Sequence, residues 1–133
     1  MLRRMVPYSG TIFPEIVEMS AGFVRVRIKD RPIIRNHLNS IHAVALMNLG
    51  EMSSGMAVTS AIPANCRAII TRLEIDYLKK ARGTLTSASR FDPQDRDFGA
   101  NQTFQVEAQI FDAAEDLVAK VKAFWLVGPF KAR

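Results

Sequence analysis

Strict alternation over residues 23–29 sets Val24, Val26 and Ile28 on one face and Arg25, Arg27 and Lys29 on the other. A period of two is that of a half-buried strand. Asp30-Arg31-Pro32 ends it, because proline has no N–H to give to a sheet ladder. The same period predicts a strand over 67–77, with Ile69, Leu73, Ile75 and Tyr77 opposite Arg72, Glu74 and Asp76. It recurs over 103–111, where Phe104, Val106, Ala108 and Ile110 oppose Thr103, Gln105, Glu107 and Gln109. The last strand, 117–127, carries Leu117, Ala119, Val121, Ala123, Trp125 and Val127 on one side. Residues 83–91, rich in Thr and Ser, alternate more weakly. Residues 15–20 form a further candidate strand before a tight Ala21-Gly22 turn. Pro7, Gly10 and Pro14 point to an arm or short helix over 1–14.

The pattern changes in the middle of the chain. Residues 41–60 are apolar on nearly every face, through Val44, Ala45, Leu46, Met47, Leu49, Met52, Met56, Ala57 and Val58. Such a helix is normally enclosed. Asn39 or Ser40 is placed to cap its start, and Ala61-Ile62-Pro63 closes it. Asn48, Glu51, Met52 and Gly55 share one stripe at three- and four-residue spacing. One buried helix with six strands predicts an α+β arrangement. A single helix covers one sheet face, so pairing between subunits is expected.

Composition narrows the function. The chain has 133 residues, 48% hydrophobic and 23% charged, without a repeat or a linker, as one folded domain would have. A net charge of +5 admits nucleic acid, an anionic membrane or a small phosphorylated ligand. The positive residues are scattered and not interleaved with aromatics, which argues against nucleic acid. Cys66 is the sole cysteine, so no intrachain disulfide can form and a reducing, cytoplasmic compartment is expected. Met-Leu-Arg-Arg at the start lacks the apolar region of a signal peptide. The helix is too polar, with Asn48, Glu51, Ser53, Ser54, Thr59 and Ser60, to be a membrane span. His37 and His42 stand five apart without a His-Glu-x-x-His pattern, so no metal site is expected. Residues 50–55, Gly-Glu-Met-Ser-Ser-Gly, do not space as a nucleophile elbow, and no phosphate loop is present.

The segment Asn36-x-x-Asn39-x-x-His42-Ala43-Val44, followed by Glu51-Met52-Ser53-Ser54-Gly55, carries a family likeness. It resembles the Asn-x-x-Gly-x-x-His-Gly-Gly pattern, with an acid nine positions after the histidine, of PaaI-like hotdog-fold acyl-CoA thioesterases. Tyr77-Leu78-Lys79 and Gly83-Thr84-Leu85 are also similar, and the likeness spans about residues 15–127. Asn39, Ala43 and Val44 stand where the pattern has glycine, which is similar to a divergent, uncharacterised branch of DUF4442 type. The resemblance implies a long central helix wrapped by an antiparallel sheet, in a homodimer or dimer of dimers with the site between subunits. It implies hydrolysis of an acyl thioester carried by coenzyme A or a carrier protein, with no cofactor beyond that substrate. Glu51 would be general base or nucleophile, its pKa raised by burial. Asn36 and His42 would support it, and the Ala43 and Val44 backbone amides would polarise the carbonyl at the helix N-terminus. Asn48, Met52 and Ser54 would line the substrate site, with Asn48 and Ser54 also placed to bond to backbone within the core, the favoured reading for Ser54, and with Met47 and Met56 as further pocket candidates. Arg72, Lys79, Lys80 and Arg82 would meet coenzyme A phosphates. A non-catalytic acyl-CoA binding module of the same fold is the alternative.

Overall fold

The computed structural model describes residues 12–94 and 96–130. Strands β1 (Glu15–Ser20) and β2 (Phe23–Ile28) are followed by a 3₁₀ turn (Pro32–Ile34) and one long helix, α1 (Ala43–Thr59). Strands β3 (Cys66–Tyr77), β4 (Leu85–Arg90), β5 (Gln102–Phe111) and β6 (Leu117–Pro129) complete a six-stranded sheet. Its order is β1-β2-β4-β5-β6-β3, antiparallel throughout. Most of the arm expected over 1–14 lies outside the described residues.

The alternation decides which sheet face meets the helix. Val24, Val26 and Ile28 of β2, Phe104 to Ile110 of β5, and Ala119 to Val127 of β6 point inward and are buried with Leu49, Ala57 and Val58 of α1. Arg25 and Arg27 point outward, where they pair with Glu18 and Glu15 of β1 at 3.3 and 2.7 Å. That stripe is a paired, exposed face.

Strand β3 departs from the expected register. A bulge falls between Ile70 and Arg72, so Ile70 stands opposite Trp125 and Arg72 opposite Phe124, leaving Thr71 extra. An extra residue flips the phase of every side chain beyond it. Ala68 and Ile70 therefore pack on the core with Leu73 and Ile75, while Ile69 faces out.

Two glycines let the helix lie close to β6. A Cβ on Gly50 would come within 2.4–2.9 Å of three Val121 carbons, and one on Gly55 within 2.8 Å of the Trp125 ring. Val121 is fully buried and stiff at χ1, so it cannot move aside. Gly50→Ala gains up to about 1 kcal/mol in helix propensity but overpacks by about 1–3 kcal/mol. The expected result is a lower denaturant midpoint at unchanged m-value.

The helix begins later than the periodicity suggests. Ile41 is held extended, its N–H bonded to the Ala81 carbonyl at 2.7 Å, so His42, not Asn39 or Ser40, becomes the N-cap. At the other end, Ser60 Oγ accepts from Gly22 N–H at 2.9 Å, tying the helix to the β1–β2 turn. Gly22 has φ +80°, and a Cβ there would sit 2.2 Å from the Phe91 carbonyl oxygen. The expected all-round enclosure is also incomplete. The sheet covers one side of α1, and Val44, Met47 and Glu51 remain on an open stripe. No helix among the described residues is long and apolar enough to cross a membrane.

Candidate active site

The loop before α1 is built by Asn36. Its Oδ1 accepts from the N–H groups of Leu38 and Ser40 at 2.9 and 3.1 Å. Its own N–H donates to the Ser40 carbonyl at 2.8 Å. Asn39 takes φ +59°, the left-handed conformation that glycine adopts freely and asparagine tolerates. The Asn-for-Gly departure thus preserves the backbone path. Asn36 oxygen is committed to the turn, so the side chain retains only its NH₂ for a ligand.

The base of the loop is tied by Asp30. Oδ1 accepts from Arg35 Nε at 2.6 Å, and Oδ2 from the N–H of Gly83 at 3.0 Å. The Arg35 hydrogen bond, helped by the Gly83 amide, holds the Asp30 carboxyl below its ordinary value against the opposing effect of burial. A depressed carboxylate pKa contributes stability above the unfolded-state value, lost as pH falls through the folded one. Asp30→Asn is therefore expected to be less stable than wild type at neutral pH, by a margin that shrinks in acid. A margin constant from pH 7 to pH 2 in chemical denaturation would show that the charge is irrelevant.

His42 caps the helix by its ring. Nδ1 accepts from Val44 N–H at 3.1 Å, which requires the neutral tautomer with its proton on Nε2. This corrects the expected pair of oxyanion donors, because the Val44 amide is occupied. Ala43 N–H has no hydrogen-bond partner among the described residues. The Ala43 carbonyl accepts from the Tyr77 hydroxyl at 3.1 Å.

Three depressions flank this first turn. A groove of about 370 Å³ lies between the loop and the end of β3, lined by Asn36, Ser40, Ala43, Tyr77, Lys79 and Lys80 among others. A cavity of about 160 Å³ is lined by Ile12, Ile33, Ile34, His42, Val44, Ala45 and Asn48. A third, about 170 Å³, is lined by Val44, Met47, Asn48, Glu51 and Leu73. Within one chain, then, His42 and Glu51 lie along one continuous stretch of helix, while Asn36 faces the other side of it.

Glu51 is half-buried rather than enclosed, because its stripe of the helix is the one the sheet leaves open. The Arg72 guanidinium, expected to meet a phosphate, pairs with Glu74 and lies 5.5 Å from the centroid of the Phe124 ring. No hydrogen bond or ion pair engages the Glu51 carboxylate among the described residues. Asn48 is buried at 8% exposure, and its Oδ1 has no hydrogen-bond partner among the described residues.

Other expected contacts fall elsewhere. Ser54 is fully buried, accepting from Trp125 Nε1 at 3.0 Å and donating to the Glu51 carbonyl at 3.0 Å, so it is core. Met52 and Met56 pack on the core as well. Lys79 Nζ sits between Asp112 and Asp116, 2.7 Å from each, and this pairing raises its pKa. The two carboxylates offset its charge and would repel a phosphate. Lys80 and Arg82 are exposed and have no ion pair among the described residues. Periodicity missed Ile33, Ile34 and Leu73 as lining residues. The two adjacent isoleucines in a polar loop, with Ile33 75% exposed, were the available signal.

A single long helix laid on a six-stranded antiparallel sheet of this order, with its N-terminal turn bordered by open cavities, is the hotdog fold. The chain belongs to the DUF4442 family, a domain of unknown function, whose model matches residues 1–127. A structural-genomics crystal structure is 26% identical with TM-score 0.87, over 98% of this chain and 86% of that one. A Pseudomonas aeruginosa protein of unknown function, named a probable thioesterase, is 19% identical with TM-score 0.84, over 96% and 91%. A Bacillus halodurans protein solved with CoA is 23% identical with TM-score 0.69, over 77% and 66%. No curated protein matches the chain.

Proposed function

We propose that the protein hydrolyses an acyl-CoA or related acyl thioester. The observation that carries this reading is the Glu51 carboxylate, without a partner among the described residues, sharing an apolar cavity wall with Met47 and Leu73, about two and a half turns along the helix from His42. The Pseudomonas protein named a probable thioesterase and the CoA-bound Bacillus protein, which share the fold, support it.

Glu51 would take a proton from a water whose oxygen bonds to the thioester carbon. The tetrahedral intermediate then expels the thiolate, breaking the carbon–sulfur bond, and the proton passes to sulfur. The Ala43 amide, at the positive end of α1, and His42 Nε2–H are the donors available to the developing oxyanion. The groove beside Lys80, with Arg82 nearby in sequence, would take the phosphates. No cofactor is needed beyond the coenzyme A of the substrate.

The site is proposed to be completed by a second copy of the chain. Strand β3 is a twelve-residue edge strand with one hydrogen-bonding side unpaired among the described residues. Long open edges are normally covered or paired. Pairing there would also cover the open stripe of α1 and bring Asn36 of one copy towards Glu51 of the other.

Free-thiol release from acyl-CoAs of short, long and aryl chains tests the reading, and turnover on any member supports it. The occupied Val44 amide favours one alternative, a non-catalytic acyl-CoA binding module. That module would bind S-alkyl-CoA thioethers and release no thiol across the panel.

A further inference from the structure

Val44 lines two cavities at once. Its side chain is 55% exposed on the open stripe of α1. On one side lies the 160 Å³ cavity walled by Ile12, Ile33, Ile34 and the His42 ring. On the other lies the 170 Å³ cavity that holds Glu51. The other residue common to both is Asn48, one turn further along the helix and buried behind Val44. An isopropyl group thus stands as a partition over a floor whose amide oxygen has no partner among the described residues.

Each compartment is about the size of a cavity that holds a benzene ring, roughly 150 Å³. A long or branched chain that fills one compartment beside a thioester group runs into Val44 before it reaches the other. The isoleucine-lined compartment holds no carboxylate, whereas the Glu51 compartment has one. A ligand using both must pass over position 44.

We propose that Val44 sets the size of acyl group accepted, by dividing the acyl site into a reacting compartment beside Glu51 and a second, mostly apolar compartment beside His42. This rests on the acyl-thioester reading above. With Val44 in place the protein takes small, unbranched acyl groups. Shortening residue 44 joins the compartments, and chains or rings that extend towards Ile33 and Ile34 become ligands. The effect is steric and lies in selectivity: the side chain touches substrate but no reacting atom.

The test compares wild type with Val44→Ala, Val44→Gly and Val44→Phe. The probes are S-ethyl-, S-hexyl- and S-benzyl-CoA thioethers, titrated by calorimetry, alongside kcat/KM on the matching thioesters. Val44 lies on the open stripe of α1, outside this chain's own core, so the variants are expected to fold, which a melting curve and the oligomeric state check. Alanine or glycine is expected to raise the hexyl-to-ethyl and benzyl-to-ethyl affinity ratios by about tenfold or more. Phenylalanine is expected to lower them. Ratios unchanged within twofold in all three folded variants overturn the partition and leave the thioesterase reading standing. Shifted binding ratios with no thiol release by wild type uphold the partition and remove catalysis. Absence of binding by any thioether to any form, with no turnover, overturns both.

Discussion

Glu51→Gln is expected to lower thiol release by about 10²- to 10⁴-fold, the usual contribution of a positioned general base. KM and the affinity for S-alkyl-CoA thioethers should change little. The amide fills the same half-exposed space, and no ion pair or hydrogen bond among the described residues is lost with the charge. The melting temperature should therefore stay where it is, which separates a chemical role from a structural one. Glu51→Asp should retain a fraction of the activity, since it keeps the charge but withdraws it by one methylene. A loss of turnover accompanied by a fall in melting temperature would assign the carboxylate to stability. Full turnover in Glu51→Gln would show that the water is activated by another group, with His42 next in line.

Much of the fold could be read from the chain. The strands were legible because one face of an antiparallel sheet is buried and the other solvated, so β2, β5 and β6 alternate cleanly. The nine-residue interval from His42 to Glu51 also needs only a helix to put both along its N-terminal half. The misplaced elements share a cause: they depend on partners distant in sequence. The bulge at Thr71, whose hydroxyl donates to the Phe124 carbonyl at 3.1 Å, depends on pairing with β6. Ile69 and Ile70, adjacent apolar residues in an otherwise alternating strand, mark the phase break without saying which of them turns inward. The helix start was misplaced because Ile41 bonds to Ala81, forty residues away. Lys79 looked like a free cation because Asp112 and Asp116 lie across a strand connection. Glu51 looked buried because a helix apolar on nearly every face suggests enclosure by its own chain. Here the open stripe is the face that the proposed pairing of two copies would cover.

Trp125→Ala is expected to destabilise the fold by about 3–5 kcal/mol, as truncation of a buried tryptophan does. For a chain of this size that is a drop in melting temperature on the order of 10–20 °C. The indole lies against Gly55, where the helix comes closest to β6, and between the strand neighbours Ile70 and Phe104. Its removal empties space that neither the sheet nor a backbone-limited helix can refill. The polar part of the loss can be isolated. Trp125→Phe keeps most of the packing but withdraws the Nε1–H that Ser54 Oγ accepts at 3.0 Å, and is expected to cost about 1–2 kcal/mol. Ser54 Oγ also donates to the Glu51 carbonyl, so the hydroxyl joins β6 to the helical turn that carries the carboxylate. Trp125→Phe should accordingly lower kcat modestly while Ser54→Ala lowers it by a similar factor, and the double variant should lose less than the two losses added. Equal destabilisation by Phe and Ala would mean that the hydrogen bond, and not the packed ring, fixes α1 on the sheet. Strict additivity of the kcat effects would mean that the Trp125–Ser54 bond does not position Glu51.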